Sequence, residues 1–160
     1  MRRTVSLVAL LVMSASFLSA QAAPAAKSKA TKPAALKWGP APPVFPKGAQ
    51  MAVVSGDPGK AGEFVIELSM PAGYKISPHF HPTDETVQVM KGTFLVGMGD
   101  TFDAKSTKPM KKGDKGTIAA QMHHFAEAQG ATIVSVTAMG PFAMTYVNPG
   151  DNPQKLTTAK

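Results

Sequence analysis

Beyond Lys47, apolar and polar residues alternate in short runs, the period-two pattern of strands with one buried face. Met51 to Val54 forms the first run and ends at the turn Gly56-Asp57-Pro58-Gly59. Glu63 to Ser69 alternates for most of its length until Pro71-Ala72-Gly73 breaks it. Thr86 to Val96 reads as two strands joined by a turn at Lys91-Gly92, and Gly97 to Gly99 opens a looser loop. Another strand is predicted after Lys111 to Gly116, and Ala131 to Met139, rich in β-branched residues, is the strongest strand of the chain. Phe142 to Val147 closes the series before Asn148 to Pro153. Short strands separated by Gly, Pro and Asp predict an all-β antiparallel sandwich or barrel. Past residue 22 there is no helical period and no repeat of solenoid length.

The pattern changes at both ends. Arg2 and Arg3 precede an apolar run from Val5 to Leu18, followed by the small-x-small triplet Ala20-Gln21-Ala22. The run is short for a membrane span, so residues 1–22 read as a cleaved signal peptide and the protein as exported, periplasmic or secreted. Residues 23–35, mostly Ala, Pro and Lys, form a flexible linker. Trp38, Phe45 and the prolines at 40, 42, 43 and 46 then predict an extended N-terminal arm along the domain. Trp38 either plugs an apolar end of that domain or stays partly exposed. The folded domain spans 36–150, and 151–160 is a polar C-terminal tail.

Charge and composition narrow the partners. Losing Arg2 and Arg3 lowers the formal charge from +7 to +5 and leaves no arginine, only lysine. Nucleic-acid readers mix arginine and aromatics into their basic patches, so the lysines at 105, 108, 111, 112 and 115 read as solvated loops, with no nucleic-acid partner. After signal cleavage no membrane partner is expected. There is no cysteine, which excludes disulfides, thiolate metal sites and thiol chemistry.

The remaining chemistry concentrates in one stretch. His79, His81 and Glu85 lie at even offsets, so on a continuous strand all three point to one side. Two imidazoles and a carboxylate on one face suit a divalent transition metal with open positions for water or substrate. His123 and His124 follow on a later strand, and opposite parity lets only one of them join the group. Asp84 and Glu127 have the wrong parity to take part. The methionines at 70, 90, 98, 122, 139 and 144 show no copper-type clustering and are expected to pack the interior, with Met122 a candidate pocket wall.

Gly73, His79, His81, Glu85 and Gly92 reproduce the spacing Gly-x5-His-x-His-x3-Glu-x6-Gly. The chain thereby resembles the cupin superfamily, as a small single-domain, secreted, type-2-like member, over roughly residues 36–149. The family's second motif is Gly-x5-Pro-x-Gly-x2-His-x3-Asn. Counted from Gly113 it falls on His124, with Ala119, Gln121 and Ala128 in place of its proline, glycine and asparagine. The resemblance implies a jelly-roll-like antiparallel β-barrel and a homodimer. It also implies one divalent metal (Fe, Mn, Ni, Cu or Zn) held by His79, His81, Glu85 and His124.

Cupins carry out many reactions, so absences are used to choose among them. Without arginine there is no bidentate anion clamp of the kind that oxalate or sugar phosphates require. Candidate pocket walls are Phe80, Phe94, Phe125, Tyr146 and several methionines. The expected function is a metal-dependent, dioxygenase-like oxidoreductase acting on a small oxygen-chelating organic molecule. Glu85 would serve as fourth ligand or as catalytic base. The competing expectation is a metal-dependent small-ligand binding or sensing module without turnover.

Overall fold

The computed structural model describes residues 35–156. The expected signal peptide and nearly all of the linker lie outside the described residues. In chain order the strands are β1 (Gly39–Pro40), β2 (Gln50–Ser55), β3 (Gly62–Met70), β4 (Lys75–Phe80), β5 (Glu85–Lys91) and β6 (Thr93–Met98). They continue as β7 (Lys108–Lys111), β8 (Lys115–Ile118), β9 (His124–Ala128), β10 (Thr132–Gly140) and β11 (Thr145–Tyr146). A single helical turn, α1 (Pro153–Leu156), follows. No helix among the described residues is long and apolar enough to cross a membrane.

Two antiparallel sheets face each other in a jelly-roll-like arrangement. One has the order β1-β2-β3-β10-β5-β8 and the other β11-β4-β9-β6-β7, and hydrogen bonding does not close them into one cylinder. Alternation in β3 explains the core directly. Phe64, Ile66, Leu68 and Met70 are at most 3 % exposed, while the residues between them face outward. Val134 and Val136 of β10, Val87 and Val89 of β5, and Phe94 of β6 complete the interior from both sheets. The β5–β6 turn needs its glycine. Gly92 has φ of 80°, and a Cβ there would stand 2.6 Å from the Ala131 carbonyl oxygen.

Some strands differ from their expected extents. The strand expected from Phe142 to Val147 shrinks to Thr145–Tyr146, because Phe142 turns inward to pack on the core. Lys108 to Ile118 forms two strands in different sheets, β7 beside β6 and β8 beside β5, joined by a turn in which the Lys111 N–H donates to the Asp114 carboxylate at 2.8 Å. The methionines also depart from expectation. Met70 is buried, but Met90, Met98, Met122 and Met139 are exposed. Met90 and Met139 sit at outward positions of β5 and β10, where alternation denies them the core.

The N-terminal arm is part of the domain. It enters as β1 against β2, and the Tyr74 and Tyr146 hydroxyls donate to the Pro46 and Val44 carbonyls at 2.6 and 2.8 Å. Burial, with Asp151 adding to it, pushes the Tyr146 phenol up to about 12, which keeps it a donor. Phe45 is the plug, stacked on Phe142 at 5.9 Å, whereas Trp38 is 38 % exposed.

Candidate metal centre

His79 lies in β4, His124 opens β9 directly opposite it, and His81 follows one residue after β4 ends. All three are buried, and their ligating nitrogens lie within 4.8 Å of one another. Glu85 reaches them from the other sheet, where it opens β5. Its carboxylate stands 3.3 Å from His124 Nε2 and 3.7 Å from His81 Nε2. The structure therefore brings together the residues that the even-offset argument grouped, but by a different path. No single strand runs from His79 to Glu85. Residues 81–84 form a crossing between sheets, and the two sheets aim the side chains at one another.

That crossing is tied down. The Gln121 N–H donates to the His81 carbonyl at 2.8 Å, and the Ala120 N–H donates to the Asp84 carboxylate at 2.8 Å. Asp84 thus faces away from the centre as its parity suggested, but it braces the turn that carries His81. Gln121 occupies the glycine position of the second motif and has φ of 63°, so the left-handed backbone persists without the glycine.

The orientation of the imidazoles settles their chemistry. His79, His81 and His124 each place Nδ1 against a backbone carbonyl: Ser77 at 2.8 Å, Ala143 at 2.8 Å and Met122 at 2.9 Å. A carbonyl only accepts, so each Nδ1 carries a proton and each Nε2 is the nitrogen turned toward the centre, the one a metal would take. His81 Nε2 is buried with no hydrogen-bond partner. A buried polar atom without a partner is costly, and a cation at the centre would satisfy it. The donor set thus fits a divalent metal: three aligned imidazole nitrogens beside one carboxylate.

Electrostatics agree. Burial, reinforced by the neighbouring His124 and His81, holds the His79 imidazole down to about 3, so it is neutral at physiological pH. Burial alone would raise the Glu85 carboxyl. The His124 and His81 imidazoles beside the carboxylate outweigh burial and lower it, so Glu85 is ionised. His123 is elsewhere: its Nδ1 meets Asp100 at 2.6 Å and its ring stacks on Phe80 at 4.9 Å, on the outer face.

The cavity at the centre measures about 30 Å³ and is walled by apolar side chains, among them Phe94, Val96, Ile118, Phe142 and Met144. Of the expected aromatic walls only Phe94 lines it. Phe80 and Phe125 have outward parity, Phe125 packing against Phe102 at 4.9 Å, and Tyr146 is engaged with Val44. Met122 is exposed and contributes its carbonyl instead. Phe45 and Phe142 are walls that sequence reasoning missed; both lie in irregular segments with no periodicity to mark them. The three orienting carbonyls are backbone atoms with no residue signature, although two of them share the same two-residue offset from their histidine.

Solved structures share this architecture. The polyketide cyclase RemF from Streptomyces resistomycificus aligns with a TM-score of 0.63 at 17 % identity, covering 82 % of this chain and 93 % of RemF. A candidate acetylacetone dioxygenase from Methylibium petroleiphilum aligns at 0.56 and 22 % identity, covering 79 % and 88 %. KdgF from a Halomonas species aligns at 0.50 and 19 % identity, covering 64 % and 86 %. The chain has the cupin fold. No family model matches the chain, and no curated protein matches it either. At these identities the likeness is one of fold. The chemistry of this chain therefore has to be argued from its own residues.

Proposed function

We propose that this cupin is a metal-dependent, dioxygenase-like oxidoreductase acting on a small oxygen-chelating organic molecule. The observation that carries the reading is the triplet of buried imidazoles, each with Nδ1 locked on a carbonyl and Nε2 turned inward. His79, His81 and His124 would hold one divalent metal, with Glu85 as fourth ligand. A bound metal supplies Lewis acidity and, where it is redox-active, electron exchange. Glu85 is ionised and largely screened from solvent beside two of the imidazoles, so its carboxylate can accept a proton from a substrate held there. The apolar walls exclude bulk water from that transfer. Among the proteins of similar fold, the Methylibium protein's name points to a β-diketone substrate, which is consistent with this class.

Export rests on the N-terminal sequence, and a homodimer is proposed from the resemblance to small cupins. The confined central volume favours one alternative, a metal-dependent binding module without turnover. Metal analysis of the protein from its exported compartment, followed by oxygen-uptake measurements on a panel of β-diketones and catechols, tests the reading. About one equivalent of iron, copper, nickel or manganese, with oxygen consumption on one substrate, supports the oxidoreductase. Reversible ligand binding without oxygen consumption supports the binding module. The metal reading fails if the wild-type chain binds no metal.

A further inference from the structure

A cavity of about 30 Å³ has room for a water or two, so a molecule large enough to chelate a metal cannot lie wholly inside it. Most of the substrate must rest elsewhere. An open cleft of about 420 Å³, within the range of small-molecule sites, lies between the β7 and β8 edges of the two sheets. Val87, Val96 and Ile118 wall both the cleft and the central cavity. Ile118 also stands directly opposite Glu85 in the β5–β8 register, so the cleft reaches the strand position beside the carboxylate. Met98 and Met110 extend the apolar walls.

The rim is basic. Lys108 and Lys115 line the cleft, are exposed, and make no ion pair with a described residue. The one acidic group lining it, Asp114, is engaged by the Lys111 N–H at 2.8 Å. A second hollow of about 420 Å³ shares Ile66, Phe142 and Met144 with the cavity, but no charged side chain lines it. The Phe142 ring, stacked on Phe45 at 5.9 Å and edge-on to Phe64 at 6.0 Å, closes that side.

We propose that the β7–β8 cleft binds the body of the substrate, and that the substrate is a small apolar carboxylate. Its carboxylate lies at the Lys108 and Lys115 rim, and separate oxygen donors at its inner end reach the histidine centre. The assignment of the inner end rests on the metal-centre reading; the cleft and its charge preference do not. Unpaired lysines over an apolar floor attract a single negative charge without the planar fork that arginine would impose.

The test is a nitrogen-15 NMR titration of the purified full chain with benzoate and with its neutral amide, benzamide, both metal-free and zinc-loaded. Benzoate should move the amide signals of Val96, Met98, Lys108, Met110 and Lys115 to Ile118. It should half-saturate at a concentration roughly fivefold lower than benzamide, the scale of exposed charge pairing. A Lys108→Gln/Lys115→Gln variant should make the two ligands equal. Gly116→Leu should abolish both responses, because a Cβ at Gly116 meets only the Met110 methyl at 3.6 Å and the side chain then fills the cleft. Shifts confined to the hollow beside Phe142, or equal responses of the wild-type protein to both ligands, overturn the proposal. Zinc calorimetry on the same proteins separates the two readings: both variants should bind zinc like the wild type. A wild-type chain that binds benzoate in the cleft but no zinc would sink the metal centre and leave the cleft standing.

Discussion

The β3–β10 and β4–β9 pairs perform opposite tasks in adjoining sheets. β3 and β10 pair through nine residues each without a register shift, and every inward side chain of β3 is buried apolar mass. β4 and β9 pair at Ile76 with Ala126 and again at His79 with His124, with an irregularity between. The regular pair is a scaffold built by alternation alone. The irregular pair gives up ladder regularity next to the histidines, which is where bulges re-aim side chains. Stability and chemistry therefore reside in different strand pairs, and substitutions should separate them.

The sharpest division is expected from Phe64→Ala in β3. Phe64 is fully buried against Phe142, so truncation should cost about 3–5 kcal/mol in denaturant unfolding. Metal affinity of the molecules that remain folded should change little. His81→Ala should do the reverse. It should weaken zinc or iron binding by more than ~100-fold in calorimetry, beyond the effect of losing a supporting hydrogen bond. Metal-free stability should fall by only about 1 kcal/mol, because losing the Nδ1 bond to the Ala143 carbonyl is partly offset by removing the unpartnered Nε2. If unfolding and metal loss track each other in both variants, the separation of tasks is wrong.

Acid should act through His79 next. The folded His79 value, about 3, lies below the ordinary value of 6.5, so between these limits the unfolded chain binds a proton that the folded chain does not. Stability of the metal-free protein should therefore fall as pH drops below 6.5, by up to ~1.4 kcal/mol per pH unit from this group. Glu85, held below its ordinary value, adds a further loss in the acid range as it protonates. Denaturant midpoints at pH 7, 6 and 5 in chelator should show the slope, and His79→Gln should flatten it. The smallest effect is expected at the second-motif turn. Gln121→Gly relieves a left-handed backbone and should stabilise the protein by about 1 kcal/mol in thermal unfolding, with metal binding unchanged.

How much of this could be read in advance differs residue by residue. Phe64, Ile66 and Leu68 were legible because their burial follows from period two. His124 was preferred over His123 from motif spacing, and parity then puts His124 inside and His123 against Asp100 on the outer face. Phe80 and Phe125 could have been excluded as pocket walls by the same parity, since each neighbours an inward histidine. Phe142 was misread as strand because apolar residues in an irregular segment look like those of a short strand. Glu85 does stand beside the histidines, but not by the path inferred, since an even offset cannot show that the chain changes sheets between His81 and Glu85.

The sequence by itself determined the strands, the inward faces of the long ones, and the residue types available for a metal: imidazole and carboxylate, with no thiol. These follow from local alternation and from composition, which need no knowledge of distant contacts. Only the tertiary structure decided that Glu85 meets the histidines from the opposite sheet, that three carbonyls select the tautomer, and that the cavity is small. The Ser77 and Met122 carbonyls lie only two residues from their histidines, but the rest depends on atoms brought together across 36 or more residues of chain, as at Ala120 and Asp84 or at His81 and Ala143. Side-chain alternation repeats every two residues and carries no information at that range.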